Sequence, residues 1–293
     1  TIRTGEYNVK DHFPYYSQQL QLVCDDLYVK TQNPIVGLTK KLTPDYFNHQ
    51  FDKYFVSFNW RFTKHRQLLS NFLASEEGYL SWYFKDTYEQ LLNGCYFDLR
   101  DWKHSAPEIY DMLVANNTTL QNNAPYIIDK PAQNAENSDI DMWPIVEEYK
   151  PGQTPSLYNT KETTLINFYK NIFVDIVTET RFAQPSANFS EKLLQPVQYM
   201  KPFILLAPPH TLEYFKSFGY QTFSDFWDES YDDIEDHGER LKVIFQLIHS
   251  ILNRPLTDLH AMYSRMMPVL QHNEKLFLEL TASPNYNNTE FHG

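Results

Sequence analysis

Two short stretches hold side chains suited to gripping an anion. The first is Arg61, His65 and Arg66, which follow the apolar run Tyr54-Phe55-Val56-Ser57-Phe58. Guanidinium groups hold phosphate oxygens in pairs, and an imidazole adds a further donor. The second begins with Glu179 and Thr180, which follow the apolar run Phe173-Val174-Asp175-Ile176-Val177, and continues with Ser190-Glu191-Lys192. Ser190 suits a helix N-cap, which places Glu191 and Lys192 in a first turn. A cation there opposes the helix dipole. A bound phosphate would explain it, and so would a solvated lysine on a surface helix. The basic cluster has the same second explanation, a surface patch balancing an acidic chain.

The elements around these residues alternate. After Ser190-Glu191-Lys192-Leu193-Leu194-Gln195-Pro196-Val197 comes an apolar run from Pro202 to Ala207, stopped by Pro208-Pro209. A helical pattern then runs from Thr211 to Phe218 and ends at Gly219. Strand, loop, helix, strand, loop, helix is the βαβ signature. It predicts an α/β fold with a Rossmann-like parallel sheet flanked by helices. Ligands of such sheets bind at the carboxyl ends of strands, near helix N-termini, where the polar residues named above fall.

The rest of the chain is read around that frame. Tyr54 to Phe58 reads as a buried strand, followed by a helix through Leu68, Leu69, Phe72 and Leu73. Residues 79–84 read as extended, 87–92 as helix, 95–99 as strand and 163–171 as helix, with a further helix starting at Ala106-Pro107-Glu108. Residues 116–160 read as a long excursion. It contains Asp139-Ile140-Asp141, a spacing that suits a metal site or two solvated carboxylates. Glu239 to Leu252 is an amphipathic helix; a second, 259–270, is interrupted near Pro268, and a last piece runs to Leu280 before a disordered tail. Residues 1–50 suggest a helix over 15–27 and a helix start at Thr43-Pro44-Asp45. The division is a reduced N-terminal segment (1–50), an α/β domain (51–253) with the 116–160 insertion, and a helical C-terminal extension (254–293).

Composition narrows the function classes. Glycine numbers only 8 among 293 residues, and neither a G-x-G-x-x-G nor a Walker-type loop occurs. Net charge is −12, which does not favour nucleic acid or anionic membrane as partner. Cys24 and Cys95 form no disulfide framework, so a reducing cytoplasm is expected. No apolar run reaches the roughly 18 residues of a membrane helix, and no signal-peptide pattern opens the sequence. Aromatics are abundant, with 21 Tyr and 21 Phe, which suits both a core and a carbohydrate site.

The blocks Thr178-Glu179-Thr180, Ser190 to Val197, Lys201 to Pro209 and Phe226 to Asp236 recur together in this order. This arrangement resembles a group of phage and marine-microbial proteins described as glycosyltransferases. It is similar, more distantly, to the donor-binding half of α-1,3-fucosyltransferases. The resemblance spans roughly 54–253 and is sharpest over 173–231. It implies a GT-B-like donor domain that takes a GDP- or UDP-linked sugar and transfers it to a carbohydrate or other hydroxyl acceptor, with no metal or other cofactor. It implies Glu191 on the ribose and Lys192 on the diphosphate, with Glu179, Thr180 and Ser190 beside the donor. It also favours Arg61 and Arg66, then His65, as phosphate ligands. Asp228, Glu229 and Tyr231, in the segment Asp228-Glu229-Ser230-Tyr231, suit a sugar pocket or the N-terminus of a helix. No residue reads as the general base, and the domain that carries it in two-domain relatives is reduced here. The rival readings are a non-catalytic virion or sugar-binding protein, and an enzyme that glycosylates DNA bases. The compartment implied is the cytoplasm of a microbial or phage-infected cell.

Overall fold

A strand whose seven residues are all buried, Ile172 to Thr178, forms the middle of the structure. A strand covered on both faces has no polar side to show, so its sequence runs apolar without alternation. The computed structural model describes residues 2–4, 22–24, 42–59, 63–82, 97, 99–122, 126–127, 162–185, 187 and 189–282. In chain order its elements begin with β1 (Ile2–Thr4), β2 (Leu22–Cys24), α1 (Pro44–Asn48), β3 (Lys53–Phe58), α2 (Lys64–Leu73) and β4 (Gly78–Trp82). Next are α3 (Trp102–Ser105), α4 (Pro107–Asn122), β5 (Tyr126–Ile127), α5 (Glu162–Lys170) and β6 (Ile172–Thr178). The last are α6 (Glu191–Gln198), β7 (Phe203–Leu206), α7 (Thr211–Ser217), a 3-10 turn (Ser230–Asp233), α8 (His237–Leu252) and α9 (Leu256–Ala282).

The main sheet has the order β5-β4-β3-β6-β7. Its β4, β3, β6 and β7 run parallel, and β5 is antiparallel at one edge. The expected α/β fold with a parallel sheet flanked by helices is therefore present, and its strand order is compatible with a Rossmann-like sheet. From β3 the chain crosses through α2 to β4 on one side. From β6 it crosses through α6 to β7 on the other. The neighbours β3 and β6 thus flank the point where strand order reverses, and α/β sheets open a ligand crevice there.

Packing explains why these segments adopt their places. Phe55, Phe72, Phe173, Ile204, Phe245 and Ile248 belong to a large apolar cluster that also takes residues from α4, α6 and α9. Fully burying such a side chain contributes roughly 1.5–3 kcal/mol. A smaller cluster joins Tyr46, Val56, Phe168, Tyr169 and Tyr199. Gly78 opens β4 because a Cβ there would meet the Phe55 ring at 2.4 Å. Gly219 ends α7 with φ 91°, a left-handed turn that side chains resist. The free edge of β7 is partly covered by the segment after α7, where the Leu205 amide faces the Tyr231 hydroxyl at 3.5 Å.

Several expectations need correction. Leu22 to Cys24 pair in parallel with Ile2 to Thr4, so a helix does not run through them. The excursion is partly regular: α4 extends to Asn122, and β5 pairs with β4. The helix α9 passes through Pro268 without a break. A proline costs that helix an amide bond, but Met266, Leu270 and Phe277 are buried on both sides of it. Phe97 and Leu99 are described outside any strand. The 87–92 helix, Asp139-Ile140-Asp141 and the tail beyond Ala282 lie outside the described residues.

Candidate functional site

Five polar groups tie the carboxyl ends of β3 and β6 together. Arg66 Nε donates to Thr178 Oγ1 at 3.0 Å, and that hydroxyl donates to Asn59 Oδ1 at 2.8 Å. Asn59 Nδ2 donates to Ser57 Oγ at 3.1 Å, and Ser57 donates to the Ile176 carbonyl at 3.1 Å. Ser57, Asn59, Thr178 and Arg66 are all buried. A guanidinium cannot lose its protons, so this chain of donors has one direction. Each group in it is satisfied, which is the condition for a buried polar network to stabilise rather than cost. It ties the two strands together at the switch point.

The first turn of α2 supplies donors to the end of β6. Arg66 Nη2 donates to the Thr178 carbonyl at 2.8 Å. His65 Nε2 meets the Glu179 carbonyl at 2.9 Å, and since a carbonyl only accepts, that nitrogen carries the proton. The α2 side chains thus supply donors to two backbone carbonyls at the end of β6. Burial, with Arg66 close by, holds the His65 pKa down at about 3, so the ring is neutral at ordinary pH. His65 and Arg66 are therefore buried, directed at the protein's own carbonyls. Arg61 lies outside the described residues.

The first turn of α6 is built differently. Ser190 is its N-cap, with φ −129° and ψ −170°, and its hydroxyl oxygen accepts from the Lys192 amide. The Glu179 carboxylate accepts from the Ser190 amide at 2.7 Å and from its hydroxyl at 2.9 Å. Lys192 Nζ stands 3.0 Å from Ser190 Oγ and 3.7 Å from Glu179 Oε2. Glu179 is buried, whereas the Lys192 side chain keeps 25% of its surface exposed. So Glu179, Ser190 and Lys192 do come together at the carboxyl end of β6. Glu191 is the first residue of α6, and its side chain is outside the described set. Thr180 is exposed in the bend after Glu179.

The remaining candidates have partners of their own. Asp228 accepts from the Ser230 amide and hydroxyl, both at 2.9 Å, and so stabilises its own turn. Glu229 accepts from the Phe223 amide at 2.7 Å, and burial raises its carboxyl pKa. Tyr231 is buried against β7. The neighbouring Asp232 caps α7, accepting from Leu212 and Glu213 amides at 3.0 and 3.1 Å. This segment braces β7 and the start of α7. Beyond it, His210 has φ 60° and lies 3.6, 3.7 and 3.1 Å from Glu213, Asp233 and Glu235. No group of three or more metal-ligating side chains is arranged to hold an ion among the described residues. Nor is any helix among them long and apolar enough to cross a membrane.

Asn59 and Thr178 emerge as central, although each shows in the sequence only as a small polar residue at a strand end. Their signal is positional: polar residues facing each other across a switch point need the same partner. No family model, curated protein or solved structure matches the chain.

Proposed function

We propose that the crevice at the carboxyl ends of β3 and β6 takes the diphosphate of a GDP- or UDP-linked sugar. The chain then acts as a glycosyltransferase with a GT-B-like donor domain. The observation that carries this reading is the partly exposed Lys192 side chain, whose ammonium is held beside the α6 N-terminus at a switch point. In sugar transfer, negative charge grows on the departing diphosphate, and a fixed cation with helix amides lowers that barrier. Glu191 holds the ribose, and Lys192 supplies charge that other transferases draw from a metal. The acceptor is a carbohydrate or other hydroxyl.

One observation favours a non-catalytic reading, a sugar-binding or virion protein that keeps the fold. The Glu179 carboxylate already occupies the amide and hydroxyl of Ser190, where a phosphate oxygen would sit. A donor must displace it or bind beside it.

A thermal-shift screen against GDP, UDP, CDP, ADP and their sugar conjugates separates the two. A ligand at about 100 times its Kd adds ~2.7 kcal/mol of stability. The expected result is stabilisation by one nucleotide, lost in Lys192→Ala. If no nucleotide shifts the transition, the non-catalytic reading takes its place.

A further inference from the structure

The helix α8 also begins with a misplaced cation. Arg240 lies in its first turns, where the dipole favours anions, and Asp236 already caps that end by accepting from the Glu239 amide at 2.7 Å. Yet Arg240 is only 1% exposed. A buried guanidinium at the wrong end of a helix needs a reason, and its contacts give one. Nη1 donates to the Ile234 carbonyl and, at 3.2 Å, to the Glu235 carbonyl. Nη2 donates to the Phe182 carbonyl. The guanidinium carbon also lies 4.6 Å from the Phe182 ring centre, a cation–π distance. On towards α2, Phe182 stacks on His65, with centres 5.0 Å apart and planes at 24°. His65 in turn holds the Glu179 carbonyl.

We propose that Arg240 is a positioning residue of this site. It fastens the start of the loop, 179–185, to the segment before α8, and through the Phe182–His65 stack it sets where that loop presents Glu179. Lysine cannot substitute. Its single ammonium lacks the planar fork that reaches three carbonyls while lying against a ring. At its far end the loop is held by Phe189, buried against the rings of Tyr214, Phe215 and Phe218, so Arg240 fastens the end that carries Glu179 and Phe182.

The placement of the loop stands on geometry alone, and only its consequence for nucleotide rests on the donor-site reading. The test is amide hydrogen exchange on the full chain, comparing wild type with Arg240→Lys. Protection of peptides covering 179–185 should fall roughly tenfold or more, while peptides of β6 and the later turns of α8 keep theirs. Unchanged loop protection overturns the proposal, and so does an equal fall in every peptide, which marks an ordinary core residue. Phe182→Leu keeps an apolar side chain and removes the ring. It should loosen the same loop, and its failure to do so also overturns the proposal. It stands in if Arg240→Lys does not fold. A nucleotide that binds wild type should bind Arg240→Lys roughly tenfold more weakly. Unweakened binding counts against the positioning role. Should no nucleotide bind wild type, the donor-site reading falls while exchange still decides the role of Arg240.

Discussion

The first turns of α2 and α6 stand at the carboxyl ends of neighbouring strands, and each carries cations where a helix dipole favours anions. They resolve that conflict in opposite ways. In α2, His65 and Arg66 are each 2% exposed and spend their donors on the carbonyls of Thr178 and Glu179. The imidazole stays neutral, and the guanidinium sits in a network of carbonyl and hydroxyl acceptors. In α6, the Lys192 side chain stays partly in water and faces a carboxylate and a hydroxyl. One turn braces the switch point of the sheet, and the other leaves its cation partly in water. A cation at a helix start can therefore be a brace for backbone carbonyls, and its type and spacing alone do not mark a ligand.

The sharpest way to break that contrast is to remove the brace. Arg66→Met keeps a long side chain but strips two acceptors on Thr178 of their donors. Each buried acceptor left unpaired costs about 1–3 kcal/mol. The expected loss is about 3 kcal/mol, read as a lower urea midpoint at unchanged m-value. Wild-type stability in Arg66→Met would mean that the switch point does not depend on the guanidinium.

A pH titration sharpens the contrast. An ordinary histidine takes a proton near pH 6.5, whereas His65 in the fold takes one only near pH 3. Between those values the unfolded chain binds a proton that the folded chain refuses. Its contribution is thus complete above pH 6.5 and is lost as pH falls towards 3. At ~1.4 kcal/mol per pKa unit, the loss by about pH 4 is on the order of 3 kcal/mol. In His65→Gln the amide still donates to the Glu179 carbonyl but does not titrate. Its stability should fall less steeply than wild type through this window. Parallel curves would show that the ring is not buried neutral.

The sheet was largely legible because its strands carry their own signals. Phe173 to Val177 is apolar and bounded by polar residues, and Lys201-Pro202 with Pro208-Pro209 frames β7. The pairing of Ser190 with Glu179 follows from the same logic, since a cap and a strand end meet at a βα junction. What sequence could not convey was direction. Arg66 and Lys192 have similar local surroundings in sequence, but only contacts over 100 residues apart turn Arg66 inward to Thr178. Asp228, Glu229 and Tyr231 stayed open between a sugar pocket and a helix N-terminus for a related reason. Carboxylates and aromatics suit a sugar, yet they equally suit turns and an edge strand that lacks a partner. Pro268 misled because the apolar face of α9 continues past it, and packing there outweighs one missing amide bond.

The smallest expected effect completes the contrast. In Lys192→Ala the Glu179 carboxylate keeps the Ser190 amide and hydroxyl, so no buried charge is left without donors. The ammonium stands 3.7 Å from the nearer carboxylate oxygen, with a quarter of its side chain exposed. Pairs of this kind contribute about 0–1 kcal/mol. Lys192→Ala should thus unfold in urea within about 1 kcal/mol of wild type, well short of Arg66→Met. A loss matching that of Arg66→Met would make Lys192 a second brace. The ammonium would then be spent on holding Glu179 in place, and the charge offered to a ligand would have to come from elsewhere in the crevice.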